Sequence, residues 1–139
     1  MKKKTLLLLF ISFTFFSCSK DPSLTSIQYL KNILVGNGYV ASSWHLTEYS
    51  INQISQPLTY AQRNFSKEYK INGSFKSNDG FEGTWELPST DSLVEVYQNL
   101  PSGVNSTQSY KVLSVSSNLL ILQYNYNGNK IVTTYSSVY

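Results

Sequence analysis

The sequence predicts an all-β chain, an eight-stranded up-and-down antiparallel barrel preceded by one short helix. Two observations carry this. From Ser42 onward apolar and polar residues alternate with period two, the signature of strands with one dry and one wet face. Turn residues interrupt that pattern at short intervals, so consecutive strands join as hairpins with no room for a long crossover. Sheets of this size tend to close and so remove their unpaired edges.

The helix comes first. Leu24, Ile27, Leu30, Ile33 and Leu34 recur at helical spacing, and Ser23 or Thr25 can cap the start. Gly36 is placed to end it in a left-handed conformation. A helix of about ten residues is unstable alone and must pack on something larger.

Strands are expected at 42–51, 64–71, 74–77, 81–87, 92–98, 108–115, 118–126 and 129–138. In FEGTWEL, Phe81, Gly83, Trp85 and Leu87 share one face, with Glu82, Thr84 and Glu86 on the other. Trp44, Leu46, Phe75, Phe81, Trp85 and Leu87 are the expected core. Asn127-Gly128 is a strong two-residue hairpin signal. At Asn72-Gly73 a two-residue turn would set Tyr69 opposite Lys76. A three-residue loop, Ile71 to Gly73, with the glycine in a left-handed bulge sets Tyr69 opposite Phe75 and keeps the apolar faces together. Continued through Asn78-Asp79-Gly80, this register places Ser77 opposite Phe81 and Phe75 opposite Gly83. NQISQPLTYAQR at 52–63 is the longest stretch expected to be irregular.

The first residues follow different rules. MKKKT is basic, and Leu6 to Phe16 is apolar apart from Ser12 and Thr14. This is the layout of a secretory signal peptide, and the run is shorter than the roughly 20 apolar residues of a membrane-spanning helix. Ser17 is followed by Cys18, the chain's one cysteine. A basic start, an apolar stretch, a small residue and a cysteine in that order resemble the lipobox of bacterial lipoproteins, although Phe15 and Phe16 stand where that pattern usually has an aliphatic and a small residue. The resemblance implies a signal peptide at 1–17, lipidation of Cys18, a short tether at 18–23 and a barrel domain at 24–139. It also implies lipid anchoring in the bacterial outer membrane, at its periplasmic face or the cell surface. Loss of Lys2, Lys3 and Lys4 with the signal lowers the basic count from 11 to 8, equal to the 8 acidic side chains. No basic field then remains to attract nucleic acid. With one cysteine the domain has no internal disulfide, so packing must hold it.

Trp44 with Leu46, Asn78-Asp79-Gly80, Gly83-Thr84-Trp85 and VSSNLLIL at 115–122 together are similar to the lipocalin-like domains of small bacterial lipoproteins. Ser42 occupies the position where true lipocalins have a glycine before the first-strand tryptophan. The resemblance implies the eight-stranded barrel and brings no ligand identity with it.

No nucleophile, base and orienting group assemble from the sequence, and no enzyme is expected. His45 is the one histidine, which with no free cysteine makes no zinc constellation. No cofactor is expected. Glu82 and Glu86 share a strand face but lie about 13 Å apart at strand rise, too wide for paired carboxylate chemistry. The eleven tyrosines suit barrel interiors and interaction surfaces alike. Tyr124 and Tyr126 run toward the last hairpin and, with Tyr60 in the long connector acting as a lid, are the expected contacts of a small apolar ligand at an open barrel end. Three readings stay open. One is a lipid-anchored domain that binds a small apolar ligand or an envelope partner protein. Another is a structural lipoprotein with a solid barrel. The third is an integral outer-membrane barrel with its apolar face outward, against which several strands are shorter than the roughly 9–11 residues that cross a bilayer.

Cys18→Ser is expected to abolish incorporation of labelled palmitate and to leave an uncleaved precursor. Label retained on the variant, or a mature protein starting elsewhere, refutes the anchor.

Overall fold

The computed structural model describes residues 26–36, 43–102, 104 and 106–138. The proposed signal peptide, Cys18, the tether and the helix-capping residues Ser23 and Thr25 lie outside the described residues. Helix α1 (Ser26–Val35) precedes strands β1 (Ser43–Ile51) and β2 (Ile54–Gln56). A short helix α2 (Tyr60–Arg63) leads into β3 (Ser66–Tyr69), β4 (Ser74–Ser77) and β5 (Glu82–Ser89). The chain finishes with β6 (Ser92–Tyr97), β7 (Thr107–Val115), β8 (Leu119–Tyr126) and β9 (Asn129–Val138).

All pairings are antiparallel between neighbours. β1 pairs with both β3 and β9, closing an eight-stranded up-and-down barrel, while β2 folds back on the far half of β1. The turns set the register as their residue chemistry dictates. Tyr69 faces Phe75, and Phe75 faces Gly83. Gly73 has φ +81°, the left-handed conformation that a three-residue bulged loop requires. Asn127 and Gly128, at φ +48° and +77°, make the final hairpin. Gly83 matters for a different reason. A Cβ there would run into the Val96 carbonyl and crowd the Phe75 ring, so β5 and β6 approach this closely only because the position carries no side chain.

The 52–63 segment departs from the expectation of irregular chain. Asn52 and Gln53 both take positive φ, +49° and +70°, and form a two-residue hairpin that sets Ile51 opposite Ile54. Asn tolerates this conformation, and its side chain is further engaged. Asn52 Nδ2 donates to Asn129 at 2.8 Å, and Asn52 Oδ1 accepts from the Lys130 N–H at 2.9 Å. A Thr59–Gln62 capping box then starts α2.

Strict alternation also breaks at bulges, which no turn residue announces. Between Leu46 and Glu48 the register shifts by one, so Leu46 and then Tyr49 face the interior. A second shift lies between Val112 and Ser114.

One end of the barrel is closed. α1 packs across it, burying Leu34 and Val35; the Trp44 indole donates to the Leu34 carbonyl at 3.0 Å, and Gly36 at φ +76° ends the helix. Trp44, Leu46, Trp85, Leu87, Leu93 and Leu120 fill the core near this end, each at most 7% exposed. Phe75 is buried as well. Phe81 is a correction to the expected core: it is 45% exposed. Its place in the alternation is as expected, but β5 begins only at Glu82. Phe81 therefore sits above the packed interior, at the mouth, with its ring edge-on to Tyr97 at 6.0 Å.

Trp85 packs edge-on against Tyr69 at 5.3 Å, and its indole donates to the Lys70 carbonyl at 3.1 Å. Trp85→Ala is expected to cost about 3–5 kcal/mol in denaturant unfolding; a loss below about 1 kcal/mol would show that this face contributes no more than a surface position.

Candidate functional site

The strand ends opposite α1 surround an open cavity of about 700 Å³. Tyr49, Tyr97, Tyr110 and Tyr124 line its walls, one each from β1, β6, β7 and β8. Each reaches it through the inward parity of its strand, Tyr49 by way of the β1 bulge. Around the mouth stand Phe81, Leu100, Val104 and Tyr126; Val104 and Tyr126 are 52% and 62% exposed. Tyr110 and Tyr124 meet edge-on at 5.4 Å. Burial pushes the Tyr124 hydroxyl up to about 12, with further repulsion from Tyr135, so it is a neutral group at ordinary pH.

Beneath the cavity lies a feature the sequence reading missed. Lys67, on β3, and Glu95, on β6, both point into the barrel, with side chains 6% and 0% exposed. Lys67 Nζ donates to both carboxylate oxygens at 2.8 Å. Three tyrosine hydroxyls complete the cage around the same carboxylate. Tyr69 donates to Oε1 at 2.5 Å, while Tyr97 and Tyr110 donate to Oε2 at 2.7 and 3.0 Å. The third Lys67 proton goes to the Tyr110 oxygen at 3.2 Å. The ammonium also lies 5.1 Å from the centre of the Tyr110 ring and 5.9 Å from that of Phe75, within cation–π range.

Burial alone would neutralise both groups, but each outweighs it for the other. Desolvation pushes the Lys67 ammonium down, and the adjacent Glu95 carboxylate more than restores it, leaving it above the usual lysine range. Desolvation likewise pushes the Glu95 carboxyl up, and Lys67 with the tyrosine hydroxyls brings it below the usual range. The tyrosines are held protonated; burial, reinforced by Glu95, raises Tyr69 and Tyr110 well above the ordinary value. Tyr97 rises to about 12, chiefly by burial.

The sequence signal for this pair was present in SKEY and SLVEVY. Lys67 shares a face with Tyr69, and Glu95 shares one with Leu93. A charged residue in phase with buried apolar ones on two different strands marks a buried pair.

The expected ligand contacts fall apart in space. Tyr124 and Tyr126 line the cavity. Tyr60 does not: it is 85% exposed on α2. The lid expected at 52–63 is a second correction, because that segment is tied down as β2 and α2 and contributes no residue to the cavity lining. The β6–β7 connection supplies Leu100 and Val104 instead. His45 faces away from the core beside Ser43, whose hydroxyl lies 3.3 Å from its ring. Glu82 and Glu86 are exposed, as read from the alternation.

With this geometry in place, the chain can be set beside known proteins. It is similar in structure to an uncharacterized protein from Bacteroides eggerthii DSM 20697, with TM-score 0.51 and 18% identity, covering 70% of this chain and 98% of that one. It is also similar to a lipocalin-like protein from Bacteroides uniformis ATCC 8492, with TM-score 0.48 and 22% identity, covering 67% and 94%. No family model and no curated protein matches the chain. The first likeness shows a shared fold.

The folded-state shifts fix the sign of a pH dependence. Glu95 is depressed, so its contribution to stability is present above the unfolded value near ~4.3 and is lost as pH falls through the folded value. Lys67 is raised, so its contribution is full below ~10.4 and is lost as pH rises through its folded value. Glu95→Gln is expected to cost about 3–5 kcal/mol at neutral pH, because it leaves the lysine buried without its counter-charge. In urea unfolding the double variant Lys67→Met/Glu95→Gln should lose less than the two single losses combined, by about 1–3 kcal/mol. Strict additivity would show that the pair is not coupled.

Proposed function

We propose that this protein is a cell-envelope lipoprotein, anchored to the bacterial outer membrane through Cys18, whose lipocalin-like barrel binds one small, largely apolar ligand at the end opposite α1. Binding, with no chemical conversion, is the proposed activity. The observation that carries this reading is the cavity of about 700 Å³ walled by four tyrosines. Small-molecule sites typically span about 300–1,000 Å³ and combine apolar walls with a few polar groups. An eight-stranded barrel has room either to fill its interior or to hold one such ligand. Here the α1 end is filled and the opposite end is open. The solid-barrel reading therefore accounts for one half of the molecule and leaves the other without a role.

A partner protein docking at the mouth is the second reading. The exposed side chains of Phe81, Val104 and Tyr126 favour it, since exposed apolar clusters often mark interaction sites.

The uncharged dye N-phenyl-1-naphthylamine, added to the folded protein, is expected to gain fluorescence saturably, at one site and with the far-UV circular dichroism unchanged. Tyr124→Arg, which introduces a charge at the cavity wall, should weaken that binding by about tenfold. A folded protein that gives no enhancement would overturn the ligand-binding reading and leave the docking surface as the better account.

A further inference from the structure

The polar floor of the cavity is unevenly endowed with donors and acceptors, and this narrows the class of ligand. An ionised carboxylate only accepts hydrogen bonds, and an ammonium has three protons to give. Glu95 takes two of the Lys67 protons together with the hydroxyl protons of Tyr69, Tyr97 and Tyr110. The remaining Lys67 proton goes to the Tyr110 oxygen. Every donor in the network is thereby committed within it.

What remains on the cavity side is oxygen lone pairs. Tyr97 and Tyr110 both line the cavity. Besides Glu95 Oε2, which takes its proton at 2.7 Å, the Tyr97 oxygen has the Tyr110 hydroxyl at 3.5 Å, whose own proton is already given to Glu95 at 3.0 Å. Tyr97 thus presents an acceptor and no donor.

Charge points the same way. Among the described lining residues no side chain is basic, and the one acidic group is Asp79. An anionic head group would find neither a cation nor a free donor at the floor. A cationic head would seat one hydroxyl away from Lys67, whose Nζ is 3.2 Å from the Tyr110 oxygen.

Building on the ligand-binding reading above, we propose that the ligand is an uncharged molecule with an apolar body and a hydroxyl or N–H head, and that this head donates to the hydroxyl oxygen of Tyr97. Phe81, Leu100, Val104 and Tyr124 enclose the apolar body.

The test is displacement of bound N-phenyl-1-naphthylamine, an uncharged dye, from the full folded protein by four ten-carbon chains: 1-decanol, its methyl ether, decanoate and decylamine. Decanol is expected to bind about fivefold or more tightly than the ether, the ratio that one net hydrogen bond supplies, and more tightly than either charged chain. Tyr97→Phe should bring decanol down to the level of the ether while leaving the ether unchanged. Equal binding of decanol and ether to the unmodified protein overturns the inference and leaves the cavity reading standing. Decanoate or decylamine binding tightest also overturns it. Failure of all four chains and of the dye to bind overturns the cavity reading, and this inference with it.

Discussion

Enclosing a lysine and a glutamate inside a barrel is tolerable only if each is fully answered, and much of this interior is arranged to answer them. Removal of an ion pair from water costs several kcal/mol per charge, which attraction alone offsets only with good geometry and further hydrogen bonds. Here the geometry is symmetric, with Nζ 2.8 Å from both carboxylate oxygens, and three tyrosines supply the remaining bonds. The contributing strands are β3, β6 and β7. A one-residue slip of any of them would turn its polar member out of the barrel and leave the others unpaired. The pair therefore constrains register in a way that an apolar core of interchangeable side chains would not.

The network also divides the interior. On one side Tyr69 joins it to the packed core at the α1 end, through its edge contact with Trp85 at 5.3 Å. On the other, Tyr97 and Tyr110 join it to the cavity. The two ends consequently differ in kind. The α1 end is apolar, closed and held by indole hydrogen bonds to backbone carbonyls. The opposite end is open and lined with polar-tipped rings. α1 is also where the chain enters the barrel. On the proposed anchoring, eight residues lead from Cys18 to Ser26, a reach of at most about 30 Å. α1, where that tether would join the barrel, lies at the closed end, opposite the mouth.

Much of this architecture was legible in the sequence because it rests on local rules. Asn127-Gly128, the bulged loop at Gly73 and the helix stop at Gly36 are backbone requirements that a residue type announces. Trp44, Trp85 and Leu87 follow from alternation. The failures have separate causes, the first of which is that period two describes a face and not a depth. Phe81 is in phase with Trp85, yet it stands beyond the packed layer. The Asn52-Gln53 hairpin lacks the glycine that would have signalled it, and it is fixed by side-chain bonds to Asn129 and Lys130, 77 and 78 residues away in the sequence. The Lys67–Glu95 pair spans 28 residues and three intervening turns, so no local pattern brings the two charges together.

Tyrosine is the residue that reconciles these demands. A phenylalanine at 97 or 110 would fill the same volume and line the same cavity, but it would leave Glu95 short of a donor where water cannot replace it. A serine would hold its hydroxyl too near the backbone to reach the carboxylate and would leave a void. Tyrosine's apolar ring packs edge-on against Phe75 and Phe81 from position 97, and against Tyr124 from position 110, while its hydroxyl reaches the buried charge. Because the proton of that hydroxyl is spent on Glu95, the oxygen left facing the cavity is an acceptor. The same bond that makes the buried pair tolerable thus sets the polarity of the site above it.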